Sequence, residues 1–160
     1  MTEGVMGIFD WLKRGGSPGK GKELPTAEDM VFESGKEEVA GLNFKTAIDA
    51  HMKWKQRLSA VIAGTSTEQL DPAVIGRDDQ CALGKWIHGE GGQHYGSQDL
   101  FLELREHHAQ FHRCAAEVLR TAQAGAVSDA EKMLNAGAYQ QASVDVVLRL
   151  ARLYEMFALA

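Results

Sequence analysis

Between Phe101 and Leu119 the apolar side chains return at helical spacing, and two members of that stripe are imidazoles. The stripe runs Phe101, Leu104, His108, Phe111, His112, Ala115, Val118 and Leu119. An upstream stripe, Phe44, Ala47, Ile48, His51, Trp54, Leu58, Val61 and Ile62, carries a third imidazole in the same way. The apolar face of an amphipathic helix turns into a core, and a ring nitrogen without a partner there costs free energy. His108 and His112 stand one helical turn apart, so both rings leave the helix on one face. The chain must therefore fold as packed helices, and those helices must satisfy three histidines from inside.

The boundaries of the helices are legible. Asn43 is a good N-cap and Gly64 a good stop, so the first helix of the folded part lies between them. Thr65 to Gln80 reads as a connection with a short turn, where Asp71 precedes Pro72 at a first helical position. Cys81 then falls at a loop or at the start of a short helix, A-L-G-K-W-I, and G-E-G-G-Q reads as a glycine-rich loop. Gly84 is expected to permit a tight turn. Ser97 can cap a helix running to about Gln123, and Ser128 can start another through Leu134. After Gly137 a last helix spans roughly Tyr139 to Phe157, apolar over much of its circumference. That pattern fits deep burial in one chain and a subunit interface equally well. No strand alternation is present, and the predicted class is all-α, a four-helix-bundle-like domain with a flexible N-terminal tail.

Residues 6–14, M-G-I-F-D-W-L-K-R, can make two turns of amphipathic helix; the segment is too short and too weakly basic for a membrane-surface anchor, and docking on a partner and an N-terminus without a role both stay open. Residues 15–25 are dominated by glycine and proline and read as a flexible linker. Residues 26–41 are acidic and weakly patterned, with partial order expected at best. The expected organisation is thus a short amphipathic segment and linker over 1–41 and a helical bundle domain over 42–160.

Composition removes several functions. Net charge is −5 with no long basic run, which argues against nucleic acid as a partner. Two cysteines do not make a disulfide framework and fit a reducing compartment. No stretch approaches the roughly 18–20 apolar residues of a membrane span, and the N-terminus lacks the features of a signal peptide. A cytoplasmic protein is expected.

One buried histidine usually means a core hydrogen bond. Three, with a cysteine between them in sequence, suggest a metal. His108 and His112 can chelate one ion, His51 can reach it from another helix, and Cys81 can complete a tetrahedron as thiolate. Zinc accepts such mixed N/S sites. Four protein ligands close the coordination sphere, which points to a structural or regulatory ion rather than catalysis. Neighbouring residues read differently. His107 points about 100° away from His108 on the helix and is expected to face solvent. His88 and His94 are expected in a surface loop, and Cys114 as a small buried apolar residue. Trp54, Leu83 and Trp86 are expected to pack around the site and exclude water. Asp49, Asp78 and Asp79 are either partners for a second imidazole nitrogen or solvated acids.

The words around the four residues resemble a known family. H-M-K-W-K at His51, C-A-L-G-K-W at Cys81 and H-A-Q-F-H at His108 and His112 look like the three-part signature of the chemoreceptor zinc-binding (CZB) domain family. The resemblance covers about residues 42–124 and suggests a stand-alone bacterial member. It implies a four-helix bundle with zinc on His51, Cys81, His108 and His112, and an ability to dimerise. It also implies regulation of chemoreceptors or diguanylate cyclases by zinc or by oxidants such as hypochlorous acid. Unlike receptors of that kind, the chain shows no methyl-accepting or cyclase domain, so the expected signal passes in trans, to a separate protein or another copy. The alternative is a constitutively structural zinc-binding interaction protein. An enzyme is not expected: there is no H-E-x-x-H, no nucleophile elbow, no phosphate loop and no paired Glu-x-x-His motifs.

Overall fold

Asn43 closes one element and opens the next. The computed structural model describes residues 36–158, and the segment 6–14 and the linker 15–25 lie outside the described residues. The described part begins with a small antiparallel hairpin, β1 (Glu38–Val39) and β2 (Leu42–Asn43), in which Val39 pairs with Leu42. Its two turn residues, Ala40 and Gly41, both have positive φ, 50° and 80°. Paired left-handed residues match the right-handed twist of a two-residue hairpin. Residues 38–41 therefore carry regular structure where the sequence predicted little; their pairing comes from tertiary docking of the hairpin, described below.

The Asn43 side chain accepts from the Thr46 N–H at 2.9 Å and starts α1 (Phe44–Ile62). Phe44, Ala47, Ile48, His51, Leu58 and Ile62 form its buried face, as the periodicity predicts. Gly64, with φ of +72°, turns the chain out of the helix. The Asp71 carboxylate then caps α2 (Pro72–Ile75) by accepting from the Ala73 N–H at 2.9 Å. Two short helices follow, α3 (Ala82–His88) and α4 (Glu90–Tyr95). The glycine-rich stretch is thus a helix where a loop was expected. Packing overrides propensity here: Gly91 lies against the Trp86 ring, where a Cβ would clash.

The long helix α5 (Asp99–Gln123) starts at Gln98 with no side-chain cap, so Ser97 does not serve as its N-cap. Next come α6 (Val127–Asn135) and α7 (Ala138–Ala158), separated by Gly137 with φ of +75°. The α6 helix starts one residue before Ser128 and lacks a side-chain cap. The α5 and α7 helices pack along each other, and α1 lies against α5, α6 and α7. These four make an all-α bundle, with α2 against α5. Phe44, Phe101, Phe111, Leu104, Leu150 and Tyr154 are fully buried in its core, each contributing about 1.5–3 kcal/mol of transfer free energy. Val144, Val146, Val147, Leu150 and Leu153 of α7 are all buried within the one chain. Of the two readings of this helix, burial within a single chain accounts for its apolar circumference. No helix of the described residues is long and apolar enough to cross a membrane.

Candidate metal centre

Cys81 ends the connection from α1 and opens α3. Its backbone is extended, and its Sγ takes the place of a capping hydroxyl by accepting from the Gly84 N–H at 3.3 Å. Gly84 is helical, not part of a tight turn. A Cβ there would overlap the backbone carbonyl of Asp78, so glycine is needed for the close approach of the 78–79 backbone to α3.

From α5, His108 and His112 direct their Nε2 atoms toward this sulfur. Cys81 Sγ lies 3.3 Å from His108 Nε2 and 3.6 Å from His112 Nε2, and the two Nε2 atoms are 3.1 Å apart. Tetrahedral zinc with bonds of about 2.0–2.1 Å to nitrogen and 2.3 Å to sulfur spaces its ligands at about 3.3 Å (N to N) and about 3.6 Å (N to S). The triangle thus matches one face of a zinc tetrahedron to about 0.3 Å.

The protonation states suit a metal as well. His112 Nδ1 lies 2.7 Å from the Ile75 carbonyl oxygen. Only an Nδ1–H can donate to that carbonyl, which leaves the lone pair on Nε2, facing the triangle. Burial pushes His108 down to about 3, helped by the neighbouring His112 and His51 and opposed by Asp78. Burial also lowers His112, against the raising effect of its bond to Ile75. Both rings are therefore neutral donors at pH 7. Burial pushes the Cys81 thiol up, while the N–H groups of Gly84 and Leu83 pull it down. A thiolate at this position calls for a nearby cation. His108 Nδ1 is buried without a hydrogen-bond partner.

The fourth predicted ligand, His51, sits apart from the triangle. The residues whose donor atoms lie within 4.8 Å of one another are Cys81, His108 and His112. His51 is buried, lines the same cavity, and packs its ring on Phe111 with centroids 4.1 Å apart. Its Nε2 faces Ser143 Oγ at 3.4 Å. Burial, then the proximity of His112, push it down to about 3, against the raising effect of the Ser143 backbone.

A cavity of about 310 Å³ adjoins the triangle between the hairpin, α1 and α3, walled by Trp54, Leu83 and Trp86. These side chains pack around the site as expected, but they border an opening rather than seal it. Trp54 meets His112 edge-on at 6.3 Å and carries Arg57 over its ring at 4.0 Å. Trp86 Nε1–H donates to the Ala40 carbonyl at 2.8 Å, which ties the hairpin tip to α3.

The remaining polar candidates have other partners. Asp78 bonds His88 at 2.8 Å, Asp79 pairs with Arg77 at 3.0 Å and Asp49 with Lys53 at 2.9 Å. None of these acids bonds an imidazole of the site. His88 ends α3 and His94 lies in α4, so neither is a loop residue. His107 points away from the triangle, as expected, and is only partly solvent-facing, standing 3.5 Å from Asp145 of α7. Cys114 is buried, with Gln110 Nε2 3.4 Å from its sulfur. Two contacts were missed. A backbone carbonyl such as that of Ile75 has no signature in sequence, and Ser143 was detectable only as a hydroxyl within an apolar helix.

A small helical bundle with soft and borderline donors converging beside its core is a metal-binding module by its chemistry. Residues 51–119 match the model of the chemoreceptor zinc-binding domain family. Compared with the curated proteins and with the solved structures, the chain finds no match.

Proposed function

We propose that this protein is a zinc-dependent sensory or regulatory module whose ion is held by Cys81, His108, His112 and, as the site completes, His51. The observation that carries the reading is the triangle of Sγ and two Nε2 atoms, with edges of 3.3, 3.6 and 3.1 Å and the His112 lone pair turned inward. When bound, zinc supplies the positive charge that keeps Cys81 a thiolate despite its burial. Two inputs fit this site. One is zinc itself, which fills the site and stiffens the packing of α1, α3 and α5. The other is an oxidant that reaches Cys81 through the adjoining cavity. With hypochlorous acid the thiolate sulfur takes the hydroxyl oxygen and chlorine leaves as chloride, giving a sulfenic acid and weakening one ligand.

Cys81 is also the cap of α3, so a change at its sulfur disturbs the Gly84 N–H bond and the first turn of that helix. Trp86 and the hairpin tip lie one turn further on. The output passes to a cytoplasmic signalling partner in chemotaxis or cyclic-di-GMP control, a chemoreceptor or diguanylate cyclase, or to a second copy of the chain. The test is zinc content and affinity of the reduced protein beside His112→Ala. One tightly held zinc per chain, weakened in the variant, is expected; no zinc above background in the wild type after reconstitution would overturn the reading.

A further inference from the structure

His51 lines the same cavity as the metal site, and here it faces a different partner. Its Nε2 is 3.4 Å from Ser143 Oγ, while Cys81, His108 and His112 converge without it. Ser143 lies on a buried stretch of α7 beside Ala142, Val144 and Val146, so its hydroxyl has little water to turn to. His51 borders the cavity of about 310 Å³ that reaches Cys81, so its ring has room to swing toward the triangle. On the other side its ring packs at a tilt of 51° against Phe111, with centroids 4.1 Å apart.

We infer that Ser143 is a competing partner that holds His51 away from the site, so that completing the coordination sphere requires breaking the His51–Ser143 contact between α1 and α7. The inference rests on the zinc reading above. One imidazole nitrogen serves either the hydroxyl or the metal. Zinc binding therefore removes a polar link between α1 and α7, and any change that tightens this link lowers zinc affinity. Ser143 is a positioning residue in this scheme; it never touches the ion.

Zinc affinity of Ser143→Ala is measured by competition with a chromophoric chelator under reducing conditions. Removing the competitor is expected to tighten zinc binding about two- to tenfold, the worth of one buried hydrogen bond. In a His51→Ala background the same substitution should have no effect. Nitrogen NMR of the histidine side chains gives an independent readout: the His51 Nε2 resonance should shift in metal-free Ser143→Ala, and in the wild type on zinc addition. Unchanged or weaker zinc binding in Ser143→Ala, or an equal gain without His51, would overturn the inference. If instead His112→Ala binds zinc as tightly as the wild type, the zinc reading itself fails.

Discussion

Gly84→Ala adds one carbon at the point where the α3 helix meets the chain before it. The new Cβ would overlap the Asp78 carbonyl oxygen and lie 2.8 Å from the Asp78 carbonyl carbon and 3.2 Å from Asp79 Cα. All three are backbone atoms, so no side-chain rotation relieves the contact. Restoring a carbon–carbon separation of about 3.5–4.0 Å requires the two segments to part by about 1 Å. Cys81 stands between them, capping α3 through Gly84 itself. Zinc sites accept ligand displacements of only about 0.2 Å, so a shift of that size takes Cys81 out of bonding range. Overpacking of this kind costs about 1–3 kcal/mol of stability. The expected result is a lower urea midpoint for metal-free Gly84→Ala and zinc affinity reduced at least tenfold. Lys85→Ala, on the exposed side of the same turn, should stay within about 0.5 kcal/mol of the wild type. A Gly84→Ala protein with wild-type stability and zinc affinity would refute the argument that close backbone approach positions Cys81.

Trp86→Phe keeps the aromatic packing but loses the bond to Ala40. It should cost about 0.5–1.5 kcal/mol plus lost area, and should raise hydrogen exchange in the hairpin while sparing α5; unchanged exchange at Leu42 would refute the tie. Metal-free protein should lose stability in acid. His51 and His108 titrate at about 3 when folded against an ordinary 6.5, so below pH 6.5 the unfolded chain takes up protons that the folded one refuses. The loss begins as pH falls through 6.5 and reaches about 2 kcal/mol per imidazole by pH 5. Urea midpoints that stay flat between pH 7.5 and 5 would count against neutral burial of these rings. Cys114→Ala should leave zinc affinity unchanged, and a tenfold loss would mean that the second thiol enters the site. Chelation should leave most helicity intact, because the bundle core holds Phe44, Phe101, Phe111 and Leu150 independently of the ion; collapse on chelation would favour a purely structural zinc.

The helices and the identity of the candidate donors were open to reading in the linear chain because they rest on short-range physics. Spacing of three and four residues places His51, His108 and His112 on apolar faces, and the Asn43 and Asp71–Pro72 caps act within two or three residues of themselves. Short elements were less legible. The hairpin at 38–43 and the α4 helix lack local propensity, and they exist because Trp86, Glu90 and Gly91 meet partners brought in from elsewhere.

What tertiary structure alone decided is how each donor is held. The His112 tautomer depends on a carbonyl 37 residues away, the Trp86 tie reaches 46 residues back, and the partner of His51 lies 92 residues on. Helical periodicity says which face a side chain leaves from; it does not say which backbone carbonyl or hydroxyl waits there. That is set by the packing of α1, α5 and α7, where long-range burial selects among many locally equivalent partners.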